Sequence, residues 1–334
     1  MKQTSIITYL FALLLLVSCD RDPLYYATKD TATVRFNFDW SGADLSPNGV
    51  SAFIYKTNTG GVLRLREISP IAQRIDLDLP VGCYDIIFVN DTEAELDNIN
   101  FGETYVQNTF KAIATMNVNS KFQTRFGQQE GYFTGESDVL AKAIVRNVEV
   151  TVDEVKYHTS RPSLGELVIS KEYQVLPTRA SNIVNVEIDV ENIGSLAGTP
   201  LCKLTNMSSG CLMDNNSRLN ENVTIEFVLN KRTLDKGNSK KGTLGREFAT
   251  FGLHDGATKA DRSHMLLLHF ELINGEDYQV ELDVTESIMT LSDDINTIHT
   301  IRGKVELPVV IGNGSGPFNP DLEEWEDTEV DLPV

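Results

Sequence analysis

Leu16-Val17-Ser18-Cys19 is the place in this sequence where residue types and order specify a covalent chemistry. An aliphatic residue, a small residue and a cysteine close an apolar run from Ile6 to Val17 that follows the basic Lys2. The small Ser18 side chain lets a peptidase approach the backbone, and the Cys19 thiol can accept a diacylglyceryl group. That is the shape of a bacterial lipobox. It predicts a signal peptide over residues 1–18, cleavage after Ser18, and lipidation of Cys19 with palmitate-type acyl chains. As a helix the twelve apolar residues reach roughly 18 Å, short of the ~30 Å hydrocarbon core, so they read as a signal rather than a span. A signal peptide ending in an incidental cysteine is the alternative. Each buried CH₂ adds roughly 0.8 kcal/mol, so two or three acyl chains hold a protein on a membrane where one would not. Residues 19–29, with the charged Asp20-Arg21-Asp22-Pro23, then form a lipidated tether.

Other reactive residues give fewer directions. Cys202 and Cys211 flank the polar stretch KLTNMSSG. A disulfide there would close a hairpin-sized loop and stabilise by up to about 3 kcal/mol; two unpaired thiols are the other reading. Cys83, beside an apolar run, reads as a buried small hydrophobe. No CxxC pair exists, which removes the usual structural zinc site. His264 and His269 sit five apart on an expected strand, hence on opposite faces and poorly placed to share a metal. His254 reads as a surface histidine. Asp214–Glu221 (DNNSRLNE) lacks the central glycine of a calcium loop and puts Arg218 at a ligand position.

No HExxH, GxSxG or P-loop motif occurs. The glycines of Gly312–Pro317 lead into a proline, not a helix, and so make no phosphate cradle. The expectation is a non-enzymatic protein with no cofactor and no metal site, although glycosidase carboxylates leave no local motif. Net charge −19, from 29 Lys and Arg against 48 Asp and Glu, argues against nucleic acid as a partner.

The elements that must position these residues are strands. In TVRFNFDW, Val34, Phe36, Phe38 and Trp40 alternate with Arg35, Asn37 and Asp39, a half-buried period-two pattern. IVNVEIDV repeats it with Val184, Val186, Ile188 and Val190. NVEVTVDEV sets Val148, Val150 and Val152 in one row. CYDIIFV, NVTIEFVL, MLLLHFEL, DYQVELDVT and HTIRGKVEL continue the theme. GETYVQNTFKAIA is the best helical candidate, and NKRTLDKGNSKKGTLGREF reads as a locally basic surface loop. Many short strands divided by polar turns point to β-sandwiches.

With 334 residues, two domains are expected. The polar KYHTSRPSLG divides the chain into sandwiches over 30–165 and 166–316, followed by an acidic tail over 317–334. In that tail Thr328, Val330, Leu332 and Val334 share one parity. They form a terminal strand closing its own domain, a strand exchanged with a neighbour, or a solvated tail.

Several segments in this order carry a resemblance. The lipobox with CDRDPLYY, then VRFNFDW, LPVGCYDIIFVN, FATFGL and LDVTESI, is similar to the fimbrillin-like lipoproteins of the Bacteroidetes, most of all to the minor-fimbrium (type V) anchor group. The resemblance implies an all-β chain of two tandem transthyretin-like or Ig-like sandwiches and a lipid anchor at Cys19 in the outer membrane. It implies fimbrial subunits as partners, a role in anchoring or adhesion, and a host or glycan ligand. Shaft subunits of that system are cut after an arginine; here the early arginines are Arg21, close to the lipid, and Arg35, inside the first strand. The alternative function is a glycan-binding lipoprotein of a polysaccharide-uptake system.

Overall fold

Strand-forming alternation governs the architecture. The structure, a computed structural model, describes residues 30–57, 60–92, 95–120, 122–126, 131–160, 168–236, 238–254, 263–289 and 298–310. The expected signal, Ser18, Cys19, the tether and the tail residues Thr328, Val330, Leu332 and Val334 lie outside them. Twenty strands run along the described chain. The first nine are β1 (Thr31–Phe38), β2 (Val50–Lys56), β3 (Val62–Ser69), β4 (Arg74–Pro80), β5 (Gly82–Asn90), β6 (Ile99–Gly102), β7 (Lys111–Ala114), β8 (Phe133–Thr134) and β9 (Ala141–Val150). Then come β10 (Ile169–Val175), β11 (Thr178–Arg179), β12 (Asn182–Glu191), β13 (Leu201–Ser208), β14 (Gly210–Leu212) and β15 (Asn222–Val228). The series closes with β16 (Lys231–Asp235), β17 (Asn238–Thr250), β18 (Met265–Glu271), β19 (Asp277–Asp283) and β20 (Ile298–Glu306). Helices are short: α1 (Gln123–Phe126), α2 (Val152–Ser160) and α3 (Thr285–Met289). The all-β expectation is borne out.

The chain divides into two compact units. Among the described residues, the smaller gathers 30–35, Asp76–Gly82, 149–160 and 168–172. Its strand segments belong to the sheet β10-β1-β4, where Arg35 forks onto Asp76 through Nε at 2.7 Å and Nη2 at 2.9 Å. Thr33 Oγ1 donates to Asp78 at 2.7 Å. The expected row Val148-Val150-Val152 breaks in this unit. Thr151 and Glu154 form a capping box, each side chain accepting from the other's backbone N–H (2.7 and 3.3 Å). The box starts α2, so Val152 is helical and 51% exposed.

The larger unit holds four sheets. In one, ordered β16-β17-β12-β20, β12 pairs antiparallel with β17 and parallel with β20. Val184, Val186, Ile188 and Val190 all face inward, at most 1% exposed. They share a core with Leu204, Ile225, Leu266, Leu268 and Phe270 of the sheet β19-β18-β13-β15-β8, and Phe227 meets Phe248 at 4.5 Å between ring centroids. Two sheets closing on one apolar layer make a sandwich. Apolar area removed from water contributes roughly 25 cal/mol per Å², so this layer is the main favourable contribution.

The third sheet, β11-β9-β5-β2-β3, lays Phe53, Tyr55, Ile87 and Val89 against Ile99 and Ala112 of the small sheet β14-β7-β6 and against Phe110 just before β7. Strands cross the sequence division expected near residue 165. β14 pairs with β7, β8 pairs with β15, and β11 pairs with β9.

Two segments differ from expectation. GETYVQNTFKAIA is no α-helix: it ends β6, makes a 3₁₀ turn at Gln107–Thr109, and enters β7 with Phe110, Ala112 and Ala114 buried on a period of two. The basic stretch after Asn230 is the hairpin β16–β17 rather than a loop. Lys231 and Arg232 lie on β16, the outer strand of that sheet, where charge discourages stray pairing.

Candidate functional site

The expected disulfide is not formed. Cys202 and Cys211 are both buried thiols. Cys202 enters the core of the large sandwich and Cys211 that of the β6–β7 region. Six extended positions from Cys202 to Ser208 within β13 already cover about 20 Å, whereas a disulfide needs Cα atoms about 4.4–6.8 Å apart. Burial raises the Cys202 thiol pKa well above its ordinary value. Cys83 is half-buried rather than fully so.

The histidines also move inward. His254, expected on the surface, is 5% exposed. Buried His264 turns Nδ1 to the Thr205 carbonyl at 3.2 Å, and His269 brings Nε2 within 3.2 Å of Asp277 Oδ1. Among the described residues no group of three His, Cys, Asp or Glu could hold a metal ion, and no helix is long and apolar enough to cross a membrane.

Asp214, read from the sequence as part of a poor calcium loop, belongs to an ion network instead. Arg146 bridges Asp85 (Nη1–Oδ2, 3.1 Å) and Asp214 (Nη2–Oδ1, 2.8 Å). Gln107 Nε2 donates to the same two carboxylates at 3.2 and 2.8 Å, and the Asn147 amide donates to Asp85 Oδ1 at 2.9 Å. The guanidinium answers two carboxylates, so Asp214 has no call for a cation.

Beside this network lies a cleft of about 410 Å³, within the range of small-ligand sites. Its walls come from Lys142–Val145 of β9, Gln174–Leu176 at the end of β10, Thr178, and the Asp214–Asn216 turn. That turn is tight: the Asn216 amide donates to the Leu212 carbonyl at 2.9 Å, and Asn216 takes φ +64°, a left-handed conformation asparagine tolerates. Lys142 is 4% exposed and donates from Nζ to the Met213 carbonyl. Burial lowers its ammonium pKa to about 8. Asn216 Oδ1 is buried without a hydrogen-bond partner. Sequence reasoning missed Lys142, Gln174 and Thr178 because they sit on unremarkable strand positions; the polar run Asp214-Asn215-Asn216 was the available signal.

Sheet edges are the other candidate surface. β3 is the outermost strand of its sheet. Its outer side meets the chain near Tyr105, through the Val62–Val106 bridge and a 2.7 Å bond from the Leu63 amide. Val62, Leu65 and Ile68 are 46, 41 and 50% exposed.

The described residues thus present an all-β fold with strand edges and a polar cleft. Residues 18–228 match the family described as a domain of unknown function, DUF5119, and the chain belongs to that family. No curated protein matches it. Among solved structures it is similar to a candidate adhesin of Bacteroides ovatus at TM-score 0.52 and 18% identity, covering 87% of this chain and 94% of that one. It is also similar to the fimbrial anchor protein Mfa2 of Porphyromonas gingivalis (TM-score 0.43, 13% identity, 83% and 90% covered). A candidate polysaccharide-binding protein of Bacteroides thetaiotaomicron gives TM-score 0.47 and 10% identity over 82% and 90%.

Proposed function

We propose that this protein is a non-enzymatic, lipid-anchored surface protein that serves as a fimbrial accessory or adhesion subunit. The observation that carries the reading is the fold shared along 94% of the Bacteroides ovatus candidate adhesin. Cys19 at the end of an apolar signal-like run supplies the anchor to the outer membrane. Assembly of fimbrial subunits by strand addition needs main-chain partners and side-chain pockets, not a catalytic group, and the outer strand β3 offers such a surface. Whether the tail residues Thr328–Val334 are donated belongs to the same reading. In the alternative reading the lipoprotein serves polysaccharide uptake.

Retention of the amino terminus distinguishes an anchor from a shaft subunit. Arg35 lies in the middle strand of its three-stranded sheet and is forked onto Asp76, an arrangement that shields the following peptide bond from a protease. The experiment is purification of the full-length protein from membranes in mild detergent. Fimbrial subunits should co-purify, and mass spectrometry should find an acylated Cys19 amino terminus. A chain beginning at Phe36 would instead mark a shaft subunit, and recovery of a transporter with glycan-degrading enzymes would overturn the fimbrial reading.

A further inference from the structure

We infer that the acidic segment Asp321–Asp327 docks on the β16–β17 hairpin of its own molecule. Charge is the first ground. The chain as a whole carries net charge −19, yet residues 231–246 hold six basic residues against one carboxylate, Asp235. Lys231, Lys236, Lys240 and Lys241 are all exposed. The two arginines of the stretch are engaged elsewhere, Arg232 with the Ile193 carbonyl at 3.2 Å and Arg246 with Glu136 at 2.9 Å. Asp321–Asp327 (DLEEWED) has the opposite character, with five carboxylates and no basic residue.

Topology is the second ground. Across the sheet β16-β17-β12-β20, Glu306 of β20 pairs with Glu191 of β12, Glu191 with Lys241 of β17, and the next residue, Gly242, with Leu234 of β16. The chain therefore leaves β20 in the row that holds the basic end of the hairpin. It stays beside that row through Leu307, whose amide donates to the Glu191 carbonyl at 3.0 Å, and Val310, whose amide donates to Ser195 Oγ at 3.3 Å. Three strand spacings separate β20 from β16, roughly 14 Å at about 4.8 Å each. The eleven steps from Val310 to Asp321 reach up to about 36 Å, so the acidic segment can span the sheet end. Glu191 already takes Lys241 and Lys304 at 3.1 and 2.8 Å, which blunts its repulsion of an incoming carboxylate. Leu234, 43% exposed among the lysines, matches Leu322 and Trp325 within the acidic segment, and an ammonium beside it can meet the indole face. A short tether keeps such a segment at millimolar effective concentration, so contacts too weak to hold a separate partner suffice.

Trp325 reports on the contact. The chain has two tryptophans; the other, Trp40, is 6% exposed, and comparison with Trp325→Phe removes its contribution. Fluorescence of the full-length protein in an uncharged detergent is quenched with acrylamide, a neutral probe. In dilute salt Trp325 should be shielded. Near 1 M salt, where the Debye length falls to about 3 Å, quenching should rise several-fold. The double variant Lys236→Glu, Lys240→Glu should show the high-salt value already in dilute salt, with the melting temperature unchanged because both positions are exposed. Three results would overturn the inference. Trp325 open to acrylamide in dilute salt would mean no docking, and shielding that survives either high salt or charge reversal would put the segment on another surface. Shielding that fades on dilution would assign it to a second copy of the chain. The inference makes no use of the fimbrial reading, and co-purification of fimbrial subunits bears on that reading alone.

Discussion

Lys203 of β13 and Glu226 of β15 are register partners on neighbouring strands, with Nζ 3.4 Å from Oε1 and both side chains closed to solvent. The Ser120 hydroxyl donates to the same carboxylate, and the Phe133 ring lies 4.8 Å from the ammonium. Burial lowers the lysine's pKa, and Glu226 opposes that shift. A buried pair of this kind is weak evidence of net stability, but removing one partner leaves the other charge stranded. Glu226→Ala should therefore cost about 3–5 kcal/mol in urea unfolding. Lys203→Met combined with Glu226→Leu should cost much less. If the double variant proves as damaging as the single, packing around β8 rather than stranded charge sets the cost.

A pH effect follows from Lys142. Its folded pKa is lowered to about 8, chiefly by burial, against about 10.4 in the unfolded chain. Between those values the unfolded state binds more protons, so stability rises with pH across the window. Below pH 8 the lysine is charged in both states and the burial cost is fully present. The stability of the wild type relative to Lys142→Met should climb by on the order of 3 kcal/mol from pH 7 to about 10.5. Chemical denaturation at several pH values reads this directly. A flat difference would show that the ammonium is solvated in the folded protein.

Much of the architecture was legible because period-two burial is a local signal. β12 reads off its alternating Val184, Val186, Ile188 and Val190, and β1 off Val34, Phe36 and Phe38. What stayed hidden depends on partners distant in sequence. β8 and β14 are two and three residues long, too short to carry a period, and exist because β15 and β7 supply the ladder. The polar β16–β17 hairpin looked like a loop because an outer strand need not hide its side chains. Thr151 and Glu154 carried a capping-box signal, but the valine alternation on either side masked it. The cleft was invisible for a similar reason: Lys142 reaches Met213 across 71 positions of sequence.

The cysteines offer a test that needs no partner. Cys202 and Cys211 are closed to solvent, and burial keeps the Cys202 thiol from ionising, which removes the reactive thiolate. Half-buried Cys83 is the more accessible position. An aromatic disulfide reagent should label Cys83 first in the native protein, with Cys202 and Cys211 labelled only after unfolding. Peptide mapping without reductant should find no Cys202–Cys211 cross-link. A linked peptide from native protein would mean that β13 and β14 take another arrangement in the oxidised chain.

The outer strand β3 bears on assembly. Leu65 and Ile68 are register partners of Ile54 and Ser51 in β2, yet 41 and 50% exposed. Apolar side chains on an outer strand invite a further strand, and lysine at such positions discourages it. Leu65→Lys and Ile68→Lys remove no buried group, so each should change unfolding free energy by no more than about 0.5 kcal/mol. If an incoming subunit adds its strand beside β3, the pair together should lower recovery of fimbrial subunits several-fold in detergent pull-downs. Full recovery with a doubly substituted β3 would move the docking surface elsewhere, to the β15 edge that β8 covers with only two register pairs, Thr224 to Phe133 and Ile225 to Thr134.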